Sequence, residues 1–334
     1  MARVAINGLG RIGRATLKMV MDTPQLDFVA ANDIAAVDNI AYLIQYDTVY
    51  GKYERQVKSA DGKLIIDGTE YGYFSERNPE DLPWEENNID VVFECTGFFT
   101  KFEDAEKHIK AGAKFVIISG PTKSKEVPTI VHGVNTANGD TRVLSCASCT
   151  TNNITPVVEI LGRRIGIKKA IMTTVHAYTA TQLLVDGPGG KDMRRGRGAA
   201  DNIVPSSTGA AIATTKALPQ YDGVFDGTSL RVPVPVGSIA DITFVMDRNT
   251  SVEEVNNVLR EEAATDRYKG IVEVNDDPIV SSDIIKNPAA SIVDLTLTQV
   301  VDGDLLKVMT WYDNEWGYTN QMIREALALT SNGS

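Results

Sequence analysis

Near its N-terminus the chain reads Arg3-Val4-Ala5-Ile6-Asn7-Gly8-Leu9-Gly10-Arg11-Ile12-Gly13. The first five residues are typical of a buried parallel strand, and the glycine loop that follows opens a helix that runs to about Met21. Glycine at Gly8, Gly10 and Gly13 permits a tight turn, close approach of the backbone to a pyrophosphate, and close packing of the helix on the strand. Because a helix N-terminus also favours an anion, this pattern predicts a dinucleotide-binding unit.

A second predicted strand supports the dinucleotide site. Asp27 to Ala31 leads into Asn32-Asp33, which places an acid about twenty residues past the last glycine, where an acceptor for a ribose 2′-hydroxyl is expected. Further strands at Ile89 to Glu94 and Lys114 to Ser119 continue the alternation of strand and helix. The carboxyl ends of such strands line the cofactor crevice. We therefore expect an α/β fold with a Rossmann dinucleotide-binding domain over residues 1–148.

After this domain the sequence changes to longer segments of alternating polarity. These predict strands at Thr228 to Val236, Ser238 to Met246, Ala290 to Thr298 and Leu305 to Tyr312. A helix from Val252 to Ala264 is predicted between them, and the Thr250/Glu253 spacing fits a capping box. We expect an α+β catalytic domain with a mostly antiparallel sheet over residues 149–314. We expect the last helix, about 315–334, to pack back onto the first domain.

The strongest candidate for chemistry is a cysteine between a predicted strand, 142–146, and a helical run, 153–161. Cys149 lies in Ser148-Cys149-Thr150-Thr151-Asn152, and a helix N-terminus there favours thiolate by about 0.3–1 kcal/mol at an exposed site and by up to about 2 kcal/mol at a partly buried one. That energy lowers a cysteine pKa by only about one unit, so chemistry near neutral pH also needs a base or a cation. A buried structural cysteine is the alternative, but the polar residues after Cys149 suit a first helical turn that faces a site.

The chain contains three histidines that could supply the base. His108 lies in a charged amphipathic helix, where we expect it to be exposed to solvent. His132 follows a short apolar strand, and we expect a hydrogen-bonded structural imidazole there. His176 lies on a Val/Thr-rich strand, where structural and catalytic roles are equally compatible with the pattern alone. The presence of Cys149 favours His176 as its partner.

Composition limits the class of protein. At 334 residues and 43% hydrophobic content, the chain is long enough for two domains. No apolar run reaches the roughly twenty residues of a membrane span, and no signal-like segment precedes the first strand, so we expect a cytoplasmic protein. Three cysteines do not make a disulfide framework. The net charge of −11 argues against general affinity for nucleic acid.

Several separated segments carry a resemblance to a known family. Beside the glycine loop, the Cys149 segment and the His176 strand, they are Arg194-Arg195-Gly196-Arg197-Gly198-Ala199-Ala200, Ser207-Thr208-Gly209-Ala210-Ala211, Leu230-Arg231-Val232-Pro233 and Trp311-Tyr312-Asp313-Asn314-Glu315-Trp316-Gly317-Tyr318. Together, and in this order, they resemble phosphorylating glyceraldehyde-3-phosphate dehydrogenases over essentially the whole chain.

The resemblance implies a covalent mechanism on glyceraldehyde 3-phosphate. Cys149 would attack the aldehyde to give a thiohemiacetal, and His176 would accept the hydroxyl proton. Hydride would pass to NAD, and inorganic phosphate would release the resulting thioester as an acyl phosphate. Matching family positions assign Thr179 and Arg231 to the substrate phosphate. The family positions for the attacking phosphate are Ser148, Thr150, Thr208 and Gly209, with Arg195 nearby.

The resemblance also assigns the cofactor contacts and an assembly. Beside Gly8, Gly10 and Gly13, the family positions for backbone contacts are Arg11 and Ile12, and the position for the ribose is Asp33. The positions near the adenine side and at the strand ends are Arg77, Thr96, Gly97 and Ser119. The position for the nicotinamide amide is Asn314. Asp33 would repel a 2′-phosphate, and Ile34 and Pro188 stand where NADP-accepting members often carry hydroxyl residues, so NAD is the expected cofactor. The loop from Thr179 to Ile203 corresponds to a subunit interface, which implies a homotetramer. No metal is implied.

The chain departs from the family pattern beside the nucleophile. Cys146 stands where asparagine is frequent, and Asn153 where cysteine is frequent. Cys146-Ala147-Ser148-Cys149 is therefore a C-x-x-C segment, which permits the hypothesis of a reversible regulatory disulfide. A buried Cys146 that never meets Cys149 is the alternative. Two other functions also stay open, namely an erythrose-4-phosphate dehydrogenase and a catalytically idle nucleotide-binding protein of the same fold.

Overall fold

A computed structural model describes residues 1–137, 139 and 141–331, and it divides the chain into two compact units. The first unit comprises Met1–His132, Thr136–Ala147 and the chain from Thr319 onward. The second comprises Gly133–Asn135 and Ser148–Tyr318. The functions assigned to residues 1–148 and 149–314 stay predictions.

The first unit is built on an eight-stranded, mostly parallel sheet. The strands of this unit, of which β3 and β4 lie outside the large sheet, are β1 (Ala2–Asn7), β2 (Leu26–Asn32), β3 (Tyr46–Asp47), β4 (Gly51–Lys52), β5 (Val57–Ala60), β6 (Lys63–Ile66), β7 (Thr69–Phe74), β8 (Val91–Glu94), β9 (Phe115–Ile118) and β10 (Val143–Ser145). The sheet order is β10-β9-β8-β1-β2-β7-β6-β5, and β3 pairs with β4 separately. The pairs between β10 and β7 are parallel, and the β7-β6-β5 end is antiparallel.

Helices α1 (Arg11–Met21), α2 (Val37–Gln45) and α3 (Phe102–Lys110) follow strands of this sheet. The central strands read as near-continuous apolar runs, and Val4, Ile6, Val92 and Phe93 are completely buried. Such runs are typical of a parallel sheet covered on both faces. Strand β1 lies between β2 and β8, so the strand order reverses beside the glycine loop, where open α/β sheets bind their ligands.

The second unit contains a seven-stranded sheet and most of the remaining helices. Its elements are α4 (Cys149–Arg164), β11 (Ile167–Ala177), β12 (Val204–Ser207), α5 (Ala210–Ala217), β13 (Phe225–Val232), β14 (Ser238–Met246), α6 (Val252–Ala263), β15 (Val272–Asn275), β16 (Ser291–Val301) and β17 (Leu305–Tyr312). The last helix, α7 (Trp316–Ser331), begins in this unit and continues in the first.

Four of the six strand pairs in this second sheet are antiparallel, in the order β12-β13-β11-β14-β17-β16-β15. One face of the sheet packs against α4 and α6 in a single apolar core. That core includes Ile154, Val157, Leu161, Met172, Phe244, Leu259 and Val308. The predicted Rossmann unit and mostly antiparallel second sheet are both confirmed.

The structure corrects three local predictions. His108 is completely buried rather than exposed, because α3 turns its imidazole towards Glu94 and Trp84 inside the first unit. The cap of α6 is Ser251, whose hydroxyl accepts from the N–H of Glu254, one residue after the predicted pair. Strand β13 ends at Val232 rather than at Val236, because the prolines that follow cannot donate to a ladder.

Candidate active site

Cys149 is the first residue of helix α4. Ser148 caps the helix, and its Oγ accepts from the backbone N–H of Thr151 at 3.1 Å. The helix therefore begins four residues earlier than the predicted run, because the polar cap closes the first turn around the cysteine. The preceding Ala147 has a φ of 56°, so the chain turns sharply just before the cap. This geometry places the thiol of Cys149 at the start of a helix.

His176 and Arg231 lie side by side on the second sheet, although 55 positions separate them. Strands β11 and β13 are parallel, and their register pairs His176 directly with Arg231. Paired residues of neighbouring strands project from the same face of a sheet. On β11 that face also carries the buried Met172 and Thr174, whereas Ile171 on the opposite face is 61% exposed. The register therefore puts a base and a cation on the face that packs against α4.

The thiol of Cys149 contacts this pair directly. Its Sγ lies 3.4 Å from Nε2 of His176, within the range of a hydrogen bond to sulfur. The other ring nitrogen, Nδ1, lies 2.6 Å from the carbonyl oxygen of Ala177, which can only accept. Nη1 of Arg231, which can only donate, lies 2.5 Å from the same Nδ1, so the contacts of Nδ1 do not by themselves select a tautomer. In the tautomer with its proton on Nδ1, that proton is donated to Ala177 and a lone pair on Nε2 faces the thiol. The backbone of β11 thus orients His176 as a proton acceptor for Cys149.

The surroundings of Cys149 and His176 determine the protonation state of both side chains. Burial, together with the nearby positive charge of Arg231, lowers the pKa of His176 to about 3. Burial raises the pKa of the Cys149 thiol, whereas the charge of Arg231 and the hydroxyl and N–H of Thr150 favour its thiolate. Burial thus outweighs the helix start, which the sequence suggested would favour the thiolate. Transfer of the thiol proton to Nε2 creates opposite charges that attract by about 5 kcal/mol at an effective dielectric constant of about 20.

A buried hydroxyl chain supports the cysteine and the histidine. The phenol of Tyr312 bonds Thr150 at 2.9 Å and Thr174 at 2.8 Å, and its ring contacts the imidazole of His176 edge to face. Burial raises the pKa of Tyr312, so the phenol stays neutral. It therefore joins the first turn of α4 to strand β11.

Two arginines form the cationic part of the site. Burial lowers the pKa of Arg231, and the positive charge of Arg195 is a smaller effect in the same direction. Arg195 also pairs with Asp192 at 3.3 Å, and Nη1 of Arg231 donates to the carbonyl of Ala177 at 3.0 Å. The two guanidinium groups give this part of the site a positive charge, which favours an anion.

The other residues assigned to phosphate have local partners only. Thr179 bonds Thr181 at 2.9 Å, and the hydroxyl of Thr208 accepts from the N–H of Ala210 at 3.1 Å. Gly209 is the exposed N-cap of α5, which packs on α4 through a hydrogen bond between Thr155 and Thr214. Their roles in binding stay predictions.

The glycine loop of the first unit fits a dinucleotide. A Cβ on Gly13 would lie 1.9 Å from the carbonyl oxygen of Gly8, so only glycine lets α1 pack this closely on β1. A Cβ on Gly10 would meet nothing within 4 Å, and the N-terminus of α1 has no side-chain cap. The open space and the start of a helix without a side-chain cap suit a pyrophosphate. The side chain of Arg11 pairs with Asp47 at 2.5 Å.

Other cofactor candidates of the first unit follow the ends of its parallel strands. Asp33 follows β2, and its carboxylate accepts from the N–H groups of Leu9 at 2.6 Å and Ala35 at 2.9 Å. Thr96 and Gly97 follow β8, and Ser119 follows β9, so these residues share one edge of the sheet. Arg77 is exposed after β7. The structure therefore brings these candidates to one edge, except that no contact ties Arg77 to the others.

Asn314 belongs to the second unit and is held by strand β14. Its Oδ1 accepts from the N–H of Gly237 and from the hydroxyl of Ser238, both at 3.1 Å. The same Ser238 hydroxyl accepts from the N–H of Ala177, next to His176. The amide group of Asn314 is thereby fixed with its NH₂ directed away from these two partners.

The supporting roles of Tyr312, Thr174 and Ser238 were not predicted from the sequence. Thr174 could have been found from its position two residues before His176, which places both on one face of a strand. Nothing local in the sequence signals the contacts of Ser238.

The other cysteine of the C-x-x-C segment, Cys146, lies in the interior of the protein. Cys146 is buried, which raises the pKa of its thiol well above the usual value, and no disulfide joins the three cysteines, all of which the structure describes. The proposed Cys146–Cys149 disulfide stays a hypothesis.

His132 bonds Glu325 of α7 at 3.0 Å, as expected for a structural imidazole. Among the described residues, no cluster of side chains suits a metal ion, and no helix is long and apolar enough to cross a membrane.

Substitution of Gly10 tests whether the open space above α1 holds the cofactor. In Gly10→Ala, the added methyl group meets no protein atom, and φ is −67°, so we expect the free energy of unfolding to stay within about 1 kcal/mol of wild type. The methyl group would occupy the pyrophosphate space, and we expect the Kd for NAD, measured by calorimetry, to rise at least about tenfold. An unchanged Kd would place the pyrophosphate elsewhere.

Comparisons with known proteins cover almost the whole chain. Residues 2–102 match the family model of the glyceraldehyde 3-phosphate dehydrogenase NAD binding domain, and residues 148–314 match that of its C-terminal domain. Curated relatives named glyceraldehyde-3-phosphate dehydrogenase include those of Thermotoga maritima, 46% identical over 97% of each chain, and Haloarcula vallismortis, 45% identical over 98% of each. The protein of that name from Geobacillus stearothermophilus is 42% identical over 99% of each chain.

Proposed function

Because the chain belongs to the glyceraldehyde-3-phosphate dehydrogenase family, we propose that it converts glyceraldehyde 3-phosphate and inorganic phosphate to 1,3-bisphosphoglycerate through a thioester at Cys149. The chain is an NAD-dependent oxidoreductase of glycolysis. We propose that the same reaction, run in reverse, serves gluconeogenesis. One observation supports the covalent route above all others, namely the 3.4 Å contact between Sγ of Cys149 and Nε2 of His176 at the start of a helix.

The first step is the addition of the thiol to the aldehyde. Nε2 of His176 takes the thiol proton, and the Cys149 thiolate forms a bond to the aldehyde carbon. The N-terminus of α4 and the positive charge of Arg231 stabilise the negative charge while the bond forms. The imidazolium of His176 then returns its proton to the alkoxide oxygen that the addition creates, which gives a thiohemiacetal on Sγ and a neutral His176. As general base, Nε2 can next deprotonate the hydroxyl group of this adduct.

NAD, when bound, supplies the hydride acceptor that oxidises this adduct to the level of a thioester. The glycine loop from Gly8 to Gly13, with Asp33, would hold the adenosine and pyrophosphate part of NAD, and Asn314 would orient its nicotinamide amide. The chain then transfers the acyl group from Cys149 to inorganic phosphate. The imidazolium of His176 can return its proton to Sγ as the thiolate leaves.

The two phosphate groups require cations and hydroxyls. We assign the substrate phosphate to Arg231 and Thr179, and the attacking phosphate to Ser148, Thr150, Thr208 and Gly209, with Arg195 nearby. The positive charges of Arg231 and Arg195 support this assignment, because the charge of Arg195 is felt at Arg231 and both guanidinium groups favour an anion.

Replacement of Arg231 by lysine tests the substrate phosphate site. Arg231→Lys keeps a positive charge but loses the planar pair of donors, so we expect KM for glyceraldehyde 3-phosphate to rise about 10- to 100-fold while the Kd for NAD stays unchanged. Arg248→Lys, which alters an exposed arginine paired with Glu254, is the matched control and should keep both values. An unchanged KM in Arg231→Lys would remove Arg231 from the phosphate site.

The proposed activity is tested by steady-state NADH formation with glyceraldehyde 3-phosphate, NAD and inorganic phosphate. We expect sustained turnover that depends on all three, with erythrose 4-phosphate a poorer substrate by kcat/KM. A preference for erythrose 4-phosphate would move the chain to the related branch that uses the longer aldehyde. Absence of turnover with either sugar phosphate would favour a nucleotide-binding protein without catalysis.

We also propose that the chain forms a homotetramer in the cytoplasm. Large apolar side chains are exposed in the loop between Thr179 and Ile203, among them Leu184, Val185 and Met193, which are 74%, 73% and 86% exposed. Exposed apolar groups of this kind mark protein interfaces, and a thiol nucleophile suits a reducing compartment. Light scattering should give about four times the 36.3 kDa mass of the chain, and a monomer mass would contradict the assembly.

A further inference from the structure

A buried polar network lies directly behind the cofactor loops of the first unit. Its side chains are Asn7, Asn32, Trp84, Glu94 and His108, all at most 4% exposed, and it ends on the half-buried Thr96. The proposed chemistry uses none of the buried members. Burying this many polar side chains destabilises the folded state unless each donor and acceptor has a hydrogen-bond partner. Their arrangement therefore calls for a physical reason.

Glu94, the last residue of β8, lies at the centre of the network. Its Oε1 accepts from the N–H of Thr96 at 2.8 Å and from the Thr96 hydroxyl. Its Oε2 accepts from Nδ2 of Asn7 at 2.5 Å and from Nε2 of His108 at 3.0 Å. Four donors fill the acceptor capacity of a carboxylate. The carboxylate is therefore fixed from both sides.

Trp84 fixes the orientation of His108. The indole Nε1–H, which can only donate, lies 2.9 Å from Nδ1 of His108. Nδ1 must therefore accept, and the proton on Nε2 is directed to Glu94. The ring of His108 also packs edge to face against Phe99, three residues after Thr96. His108 thus serves as a rigid donor to the carboxylate.

The two loops that this carboxylate touches are in direct contact with each other. Asn7 precedes Gly8, and a Cβ on Gly8 would lie 2.8 Å from the backbone nitrogen of Thr96. The Thr96 hydroxyl also accepts from the N–H of Phe98 at 3.1 Å, which closes the turn at Gly97, where φ is +74°. One carboxylate therefore holds the start of the glycine loop and the turn after β8 in a single arrangement.

We propose that Glu94, held by His108, is a positioning residue for NAD, which fixes the Gly8 loop and the Thr96–Phe98 turn against each other before the cofactor arrives. The inference rests on the proposed assignment of these two loops to the cofactor. Ordering a loop on binding weakens affinity, and a site ordered in advance avoids that loss. Glu94 itself makes no contact with the cofactor in this account, because all four of its acceptor positions are already filled.

Glu94→Gln tests the role of the carboxylate. Glutamine replaces one acceptor oxygen by an NH₂ group, so either the Thr96 donors or the Asn7 and His108 donors lose their acceptor. We expect the Kd for NAD, measured by calorimetry on the full chain, to rise about ten- to a hundredfold. We also expect faster hydrogen exchange at the amides of Thr96 and Phe98 without NAD.

A second pair of variants covers the possibility that Glu94→Gln does not fold. Thr96→Val keeps the shape of the side chain but removes the hydroxyl that joins Glu94 to Phe98, and we expect the Kd for NAD to rise about tenfold. Thr96→Ser keeps the hydroxyl and should bind NAD within about twofold of wild type. A loss in the valine variant with rescue in the serine variant separates the hydrogen bond from the packing.

The matched control is a second imidazole–carboxylate pair of the same unit, in which His132 is half-buried and Glu325 is buried. His132 and Glu325 are also 3.0 Å apart, but neither belongs to a cofactor loop. His132→Gln should lower thermal stability and leave the Kd for NAD unchanged. An equal rise of the Kd in His132→Gln would show a general structural effect and overturn the positioning role.

The outcomes distinguish this inference from the proposed function. If the wild-type chain does not bind NAD, the proposed function fails, and the inference fails with it. If the wild-type chain binds NAD while folded Glu94→Gln and Thr96→Val bind it within twofold of wild type, only the positioning role of Glu94 is overturned.

Discussion

Cys149→Ser is expected to abolish sustained NADH formation, with kcat reduced at least about 10⁴-fold, as when the nucleophile of a covalent mechanism is removed. A serine hydroxyl in the same place is a far weaker nucleophile than a thiol, because His176 must remove a much less acidic proton. The substitution removes no hydrogen bond that the fold needs, since the cap of α4 is the side chain of Ser148. We therefore expect normal thermal unfolding and an unchanged Kd for NAD.

The control for this variant is Cys146→Ser, which changes the other cysteine of the C-x-x-C segment. Cys146 is buried and is not placed in the catalytic machinery, so the variant should retain turnover and lose some stability. The same variant tests the disulfide hypothesis, because a switch requires both thiols. If peroxide inactivates wild type and Cys146→Ser equally, and dithiothreitol restores neither, the switch is excluded.

For the nucleophile itself, turnover by Cys149→Ser at a tenth of the wild-type rate would contradict the covalent mechanism.

His176→Asn is expected to reduce kcat by about 10²- to 10⁴-fold, the usual contribution of a general base. Asparagine can still donate to the carbonyl of Ala177, so β11 should keep its conformation, but it cannot accept a proton from Cys149 or from the adduct hydroxyl. The rate at which iodoacetamide alkylates Cys149 should fall as well, because the thiol loses its proton acceptor. The Kd for NAD should not change.

His132→Asn is the matched control for the histidine, since it breaks an imidazole–carboxylate contact outside the site. We expect a change in melting temperature and a kcat within about twofold of wild type. A kcat for His176→Asn within tenfold of wild type would show that another group takes the proton.

The cofactor half of the fold was predictable because its signals are local. A strand, a glycine loop and a helix follow one another between Arg3 and Met21, and each is specified by its own residues. The burial of His108 was not predictable in the same way. Its helix carries alternating charges, and the partners that bury the imidazole, Glu94 and Trp84, lie on other segments of the chain.

The candidate active site shows the same limit. The short polar residues around Cys149 indicate a helix start, and the structure places the cap at Ser148. The contact between His176 and Arg231 depends on the register of two strands, which no local pattern specifies. The raised pKa of Cys149 follows from burial in the folded chain, so the sequence could suggest only the opposing effect of the helix start.

The most direct test of the account is a single-turnover experiment with the full chain, NAD and glyceraldehyde 3-phosphate, first without phosphate. A thioester mechanism predicts a burst of NADH of about one per competent site, an acyl adduct on the peptide that contains Cys149, and its release when inorganic phosphate is added. Sustained NADH formation without phosphate or arsenate, or a burst with no adduct on Cys149, would contradict the proposed transfer of the acyl group from Cys149 to phosphate.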